Sequence, residues 1–591
     1  MYPVRRILNI KLYKMTKVIV LGGGVAGMSA AHELAERGFE VEVYEHKKHY
    51  CGGKARSIDV PGTVPPGQKH LPGEHGFRFF PGFYRHITDT MKRIPAGNGK
   101  TVYDNLEPTE HIMIARYGKS PIEMMAHFPR TLKELEFAIH SVHGLNTGLT
   151  KEEIEFFAER VWQLMTSCYD RRSNDYERLN WWEYMQAERF SVAYQTLLVA
   201  GLTRTLVAAQ AKSASTRTGG DIFIQLLFNI VDPFINADRV LNGPTNEAWL
   251  NHWIKYLDSK KNVKYTFGVT AVGINIANSQ VDSISAKTHD GKELKIQGDY
   301  YVFAVPVEQF APLINQDMLN LDSTLGYIKQ LAPSVSWMNG IQFYLNTEVN
   351  INPGHVIFSD SEWAITCISQ VQFWKGRNIA EYGNGKVRSI LSVDISDWFN
   401  KGINGKCASS CTRDEVMNEV WAEMEKSLNT NGTKMIDKSM IIDWYLDRDI
   451  VAPVDTHLNI ANPHEEDFNK EPLLVNRVST WDLRPDAHTE IPNLFLSGDY
   501  VRTFTDLATM EGANESARRA VNCIIQSSNS NAPLCKVWNL HEPLVLAPFK
   551  WKDESRYNKG LPWSPKLPLF ARIIITLMKP ILKLISFFRK K

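Results

Sequence analysis

The 591-residue chain has little net charge, few cysteines and no long uncharged apolar run. Its 67 Lys and Arg nearly balance 65 Asp and Glu, for a formal charge of +2. A chain so balanced has no overall cationic surface for a phosphate backbone, so nucleic acid is not expected as a partner. The seven cysteines (51, 168, 367, 407, 411, 523 and 535) are odd in number and lack framework spacing. That points to a reducing compartment rather than a disulfide-stapled domain. Cys407 and Cys411 are compatible with one helix face, but no second pair or histidine cluster completes a zinc set, and no metal is expected. His32, His46, His49, His70, His75 and His86 also lack ligand spacing. Only one Gly-x-Gly-x-x-Gly run occurs, which leaves no place for a second dinucleotide. No acid–base pair stands out, so the catalytic residues stay unassigned.

That single run is Gly22-x-Gly24-x-x-Gly27, after the apolar stretch Val18–Leu21. Gly22 suits a sharp turn off a strand, Gly24 lets a pyrophosphate approach the backbone, and Gly27 lets the following helix pack closely. Ala26 lies in the same turn. The helix N-terminus offers free N–H groups and a partial positive charge to phosphate. Glu45 ends a second strand, Phe39–Tyr44. Its carboxylate can accept both hydroxyls of an adenosine ribose and would repel a 2′-phosphate, which fits NAD or FAD rather than NADP. Next comes Gly52-Gly53-Lys54-Ala55-Arg56, with backbone N–H groups and two cations for a second phosphate. NAD does not need that second clamp, whereas a flavin dinucleotide runs on through it.

Far downstream, the apolar stretch Ile491–Leu496 leads through Ser497 into Gly498-Asp499, where a carboxylate can bind a ribityl hydroxyl. Thr509-Met510-Glu511-Gly512-Ala513 then precedes a helical run expected over Asn514–Ile525. A helix starting there points its positive end at the flavin edge that gathers negative charge on reduction.

Together these motifs resemble the FAD-dependent amine oxidase and phytoene desaturase superfamily, and within it the carotene desaturases and hydroxysqualene dehydroxylase. Two segments carry the closer likeness: Glu74-His75-Gly76-Phe77-Arg78-Phe79-Phe80-Pro81-Gly82-Phe83-Tyr84, and Met510 to Ala513. The chain departs from the desaturases at Arg78, where they usually have His, and at Ser516-Ala517, where they usually have Ser-Gly. The resemblance implies an α/β fold. A Rossmann-like FAD-binding domain of the two-dinucleotide-binding-domain type would join a mixed α+β substrate domain and a C-terminal amphipathic tail. It also implies that Val269 lies against the adenine, that Glu74 and Gly76 lie near the flavin, and that Glu74 holds backbone or flavin groups rather than acting as a base.

Such a length predicts more than one domain. The FAD domain is expected to be discontinuous, over residues 15–85, 240–310 and 471–527. Residues 86–239 and 311–470 would form the substrate domain and 528–591 an extension. Residues 86–239 read as helical: Glu152 to Met165 and Leu197, Leu198, Leu202, Leu206 and Val207 keep a helical period, and Ile222–Ile230 is almost wholly apolar. This is either a plain core or a lid over an apolar substrate. Asn242-Gly243-Pro244-Thr245 marks the return to the first domain. Val263–Phe267, Val269–Val272 and Tyr300–Val305 read as strands, and alternation over Trp337–Leu345 and Val387–Val393 predicts an antiparallel sheet flooring the cavity.

The basic start (Arg5, Arg6, Lys11, Lys14) precedes an apolar run, but that run is the first strand itself. No secretory signal is therefore read, and either Met1 or Met15 could serve as the start. Residues 567–591 mix fourteen large apolar side chains with six Lys and Arg, and Pro580 lies inside the run. Charges and proline argue against a spanning helix. An interfacial helix on anionic lipid fits, placing the protein peripherally on the cytoplasmic side of a membrane. The expected chemistry is desaturation of a long apolar isoprenoid or carotenoid-like lipid by hydride transfer to flavin, with quinone or dioxygen as final acceptor. Hydride loss from an allylic carbon needs no strong base. A non-redox lipid isomerase or dehydroxylase and an amine oxidase are the alternatives.

Overall fold

A computed structural model describes residues 15–65, 67–127, 147–201, 211–231, 237–449 and 470–566. Five parallel strands form the first sheet, in the order Val263–Phe267, Glu40–Glu45, Lys17–Leu21, Tyr300–Phe303, Leu494–Leu496. Val18, Ile19 and Val20 are wholly buried, as expected of a parallel sheet covered on both faces. The helices Val25–Glu36 and Met510–Ser527 cross it and pack on each other. The latter begins four residues earlier than the expected Asn514. Thr509 takes the N-cap, its hydroxyl accepting from the Gly512 N–H at 3.2 Å, so Met510 to Ala513 form the first turn. An antiparallel meander, Val269–Ala277, Gln280–Thr288 and Glu293–Ile296, follows the first edge strand.

The second sheet has seven strands, in the order Lys119–Met125, His111–Arg116, Gly354–Phe358, Ile365–Ser369, Ser389–Ile395, Asn339–Leu345, Ile441–Leu446. All neighbours are antiparallel except His111–Arg116 with Gly354–Phe358. One face carries Met113, Val356, Cys367, Val393 and Phe343 into a core closed by Val420 and Trp421 of the helix Arg413–Leu428. Because strand side chains alternate, the other face is free to line a cavity.

The expectation of an all-helical stretch over 86–239 is corrected over residues 95–125. That region makes five short strands, and His111–Arg116 and Lys119–Met125 join the second sheet. Helices do follow. Lys151–Thr166 starts with a Thr150/Glu153 capping box, and Thr216–Val231 carries the apolar run. They share a core with Tyr176, Trp181, Tyr184 and Tyr194. Leu197 and Leu198 lie in a π-helical turn, Tyr194–Ala200, while Leu202, Leu206 and Val207 lie outside the described residues. The extension packs its helix Ala547–Tyr557 on this part, with Arg171 3.0 Å from Asp553. The expected interfacial helix over 567–591 lies outside the described residues. Among those described, no helix is long and apolar enough to cross a membrane.

Candidate active site

The turn after the first strand is built by close backbone approach. Gly22 has φ of +104°, and a Cβ there would stand 2.4 Å from the Ala304 carbonyl oxygen. A Cβ on Gly27 would come within 1.8 Å of the Gly22 oxygen, so the helix Val25–Glu36 touches the strand through a glycine. Gly24 caps that helix without any side-chain bond to its N–H groups. The Gly52 N–H donates to the Gly23 oxygen at 2.7 Å, bringing the second glycine pair beside the first. At the end of its strand, Glu45 Oε2 accepts from the Gly23 N–H at 2.6 Å.

A cavity of about 550 Å³ starts at this turn and reaches the second sheet. Of the residues expected at the cofactor, Gly22, Gly24, Ala26, Glu45, Gly52, Gly53, Lys54, Gly76, Val269, Gly498, Asp499, Met510 and Ala513 line it. Ser516 Oγ accepts from the Gly498 N–H at 2.9 Å and fixes that turn. Backbone N–H groups at a helix start, a Cβ-free cradle and a ribose-distance carboxylate are what an FAD pyrophosphate and adenosine require.

Five expected residues stand elsewhere. Gly27 serves helix–strand packing, as its spacing suggests. Arg56, expected on a phosphate, is paired by Glu471 at 2.5 Å and by Asp449, and does not reach the cavity wall. A buried guanidinium needs carboxylates around it, and these lie about four hundred residues away in sequence. Glu74 accepts from the Thr245 N–H at 3.0 Å and the Thr245 hydroxyl at 2.8 Å, tying its strand to the Asn242–Thr245 turn. Burial pushes its carboxyl up to about 7. Glu511, also expected at the flavin, accepts from the N–H groups of Arg85, His86 and Ile87 at 2.8–2.9 Å and from His86 Nδ1 at 2.7 Å. It caps the helix His86–Met91 instead. Burial works to raise its pKa, yet the His86 bond and charge and the backbone N–H groups leave it lowered. The Gly512 N–H satisfies the Thr509 cap.

Two further expectations change. Cys407 and Cys411 flank the short turn Ala408–Ser410 rather than sharing a helix face. All seven cysteines are free. His75, read as lacking ligand partners, meets Asp447 through Nδ1, with Asp449 close by. The Arg56 guanidinium pairs with Asp449 beside them.

The segment after Gly76 forms the near wall. Phe77, Phe79, Phe83 and Tyr84 line the cavity, while Phe80 turns into the core against Trp249, 5.7 Å between ring centres. Arg78 lines it as well. Its Nε donates to the Gly76 oxygen at 3.0 Å, and among the described residues no carboxylate stands within ion-pair distance. Burial lowers its pKa, opposed by the nearby Glu74 and Asp394. The far wall was not legible residue by residue. It comes from the open face of the second sheet: Ile112, His355, Ile357, Thr366 and Asp394, with Met338 at one edge. Ile222 and Leu226 of the helix Thr216–Val231 and Leu313 close it on apolar surface. Burial drives Asp394 up to about 6 and His355 down to about 4.

The chain matches the profile of the flavin-containing amine oxidoreductases over residues 25–525. It belongs to that family. It is an FAD-dependent oxidoreductase of the amine oxidase superfamily, and the glycine turns and Glu45 described above fit that cofactor. Among curated relatives, zeta-carotene desaturase of Zea mays is 29% identical over 145 residues, 24% of this chain and 21% of that protein. A 1-hydroxycarotenoid 3,4-desaturase of Flavobacterium sp. is 44% identical over 48 residues, 8% of this chain and 10% of that one. The chain thus aligns with about a fifth of the zeta-carotene desaturase's length and a tenth of the other's. Among solved structures, cyclohexylamine oxidase from Brevibacterium oxydans covers 87% of this chain and all of its own, with a TM-score of 0.57 and 12% identity. Putrescine oxidase bound to putrescine covers 87% of this chain and 99% of its own, with a TM-score of 0.55 and 10% identity. At that identity the likeness concerns the fold.

Proposed function

We propose that this flavoenzyme desaturates a long apolar isoprenoid or carotenoid-like lipid. The observation that carries the reading is the cavity wall beyond the glycine turns, where Phe77, Phe79, Ile112, Ile222, Leu226, Met338 and Ile357 make most of the lining apolar. Such a wall releases water and holds a hydrocarbon by area rather than by directed bonds. The partial similarity to carotenoid desaturases supports the same substrate class.

Bound FAD supplies a two-electron acceptor for hydride. The residues of the chain would bind, orient and exclude water. The aromatic pair Phe77 and Phe79 holds the polyene flat against the near wall. Arg78, a cation without a carboxylate partner in ion-pair range, and the N-terminus of the helix Met510–Ser527 favour negative charge gathered at that end of the cavity. The substrate would pass a hydride to bound FAD and release a proton from the adjacent carbon to solvent, forming the new double bond. Quinone or dioxygen then takes the electrons. The tail 567–591 would hold the enzyme peripherally on the cytoplasmic side of an anionic membrane, where such a lipid resides.

The test is anaerobic absorbance of the flavoprotein as polyenes and squalene derivatives are added in micelles, followed by lipid extraction. Bleaching with a more unsaturated product supports desaturation. Changed lipid with an unbleached flavin turns the reading to isomerisation or dehydroxylation, and bleaching by amines alone to amine oxidation. Deleting residues 567–591 is expected to release the protein from liposomes with flavin retained; continued pelleting would refute the anchor.

A further inference from the structure

The far wall of the cavity holds a polar atom that has no hydrogen-bond partner among the described residues. His355 is 92% buried, with 8% of its surface exposed, on the strand Gly354–Phe358. Its ring lies 5.4 Å from Phe77 and 5.2 Å from Phe79, centre to centre. Its Nε2 is buried without a hydrogen bond. Desolvation is the sole cause of its lowered pKa, so no carboxylate compensates it and the imidazole is neutral at physiological pH. Around it the wall is hydrocarbon, through Ile112 and Ile357.

The neighbouring strand brings a second polar group to the same face. Ile357 pairs with Thr366 across the sheet, and side chains two apart share a face, so His355 and Thr366 are diagonal neighbours. Both line the cavity. Leaving a buried imidazole unbonded costs roughly 1–3 kcal/mol, a cost that a ligand bond removes. Leucine and valine would fill these places without that cost, as Ile357 does between them.

We propose that His355 and Thr366 form a polar notch that binds the oxygen of a neutral alcohol or carbonyl on an otherwise apolar substrate. The ligand is then an oxygenated isoprenoid rather than a pure hydrocarbon. Its oxygen is held at the second sheet, away from the glycine turns, so the notch sets how far the chain slides along the near wall. A neutral imidazole can accept from a hydroxyl or donate to a carbonyl, and the threonine hydroxyl can do either.

This rests on the apolar-lipid reading of the cavity, and the experiment separates the two. Flavin difference spectra of the holoenzyme are titrated with geranylgeraniol and with the hydrocarbon of equal length lacking the hydroxyl. The expected result is about tenfold tighter binding of the alcohol, the ratio that one net hydrogen bond of ~1.4 kcal/mol confers. His355→Leu and Thr366→Val should each bring the alcohol-to-hydrocarbon affinity ratio towards one, and His355→Gln should retain part of it. Equal affinities in the wild type, or an intact preference in both apolar variants, would overturn the notch while leaving the lipid reading in place. A flavin spectrum unmoved by either ligand would overturn both.

Discussion

Residues 17–56 meet the cavity mainly with backbone, and the second sheet meets it with side chains. On the first side, Gly22, Gly24, Gly52 and Gly53 let backbone approach backbone: the Gly22 N–H donates to the Tyr44 oxygen at 2.8 Å and the Gly52 N–H to the Gly23 oxygen at 2.7 Å, and the nearest atoms to the missing Cβ positions are mostly backbone or packed side chains. On the other side, Ile112, His355, Ile357, Thr366 and Asp394 project from the paired strands of a sheet. A backbone-built surface binds a constant ligand and tolerates no added atom. A surface built from side chains on a fixed ladder can change its ligand without changing its fold. This pairing lets one family keep FAD while its members act on different substrates.

That contrast can be broken at either end. Gly27→Val carries the largest expected effect. Its Cβ would fall 1.8 Å from the Gly22 oxygen, inside the closest helix–strand contact, and soluble flavoprotein should be lost. Wild-type yield and flavin-to-protein ratio in this variant would refute the backbone account. Glu511→Ala follows. It strips four hydrogen bonds from the buried start of the helix His86–Met91 and should cost about 3 kcal/mol in chemical denaturation. The flavin spectrum of the folded fraction should not change; a shifted spectrum would return Glu511 to the cofactor. Glu45→Ala should fold normally yet lose about 10- to 100-fold in FAD affinity, read by flavin fluorescence on dilution, from ~1–3 kcal/mol of lost hydrogen bonding.

A pH scan separates the second sheet from the first. Burial raises Glu423, behind that sheet, from 4.5 to about 8, although Ser361 and Trp363 hydrogen-bond its carboxyl. The folded state therefore holds this proton more tightly than the unfolded chain does. Its contribution is fully present below about 4.5 and is lost as pH rises towards 8. Wild-type melting temperature should fall between pH 5 and 8, and Glu423→Gln should flatten part of that fall; parallel curves would refute the assignment. The smallest effect is Ile357→Val. It should cost about 1 kcal/mol of stability and weaken hydrocarbon binding slightly, leaving FAD content unchanged.

The two sides differ in legibility for the same reason. Gly22, Gly24, Gly27 and Glu45 are readable because close backbone approach admits few residue types, and the spacing is local. Alternation over Trp337–Leu345 announces a sheet with two faces, but His355 and Thr366 need the register of two other strands, Gly354–Phe358 against Ile365–Ser369, before they meet. Strands such as Pro95–Gly97 and Lys100–Thr101 are too short and too exposed to leave a period. Arg56 looked like a phosphate ligand because its partners Asp449 and Glu471 are remote in sequence. Glu511 looked like a flavin ligand because a motif names a residue without saying which way its side chain turns. The early start of the helix Met510–Ser527 has a local signal after all, the Thr509 cap, hidden by the small residues behind it.

The first sheet also fixes a schedule. Its strand Tyr300–Phe303 pairs on one side with Lys17–Leu21 and on the other with Leu494–Leu496. During synthesis at roughly 5–20 residues per second, nearly two hundred residues must be made between those partners, on the order of ten to forty seconds. Through that interval the nascent chain carries an open parallel edge of Tyr301, Val302 and Phe303, an aggregation template for any other extended segment. Gly498, Asp499 and the helix Met510–Ser527 arrive only with or after the closing strand, so the cofactor cannot be fully gripped before residue 527 has been made.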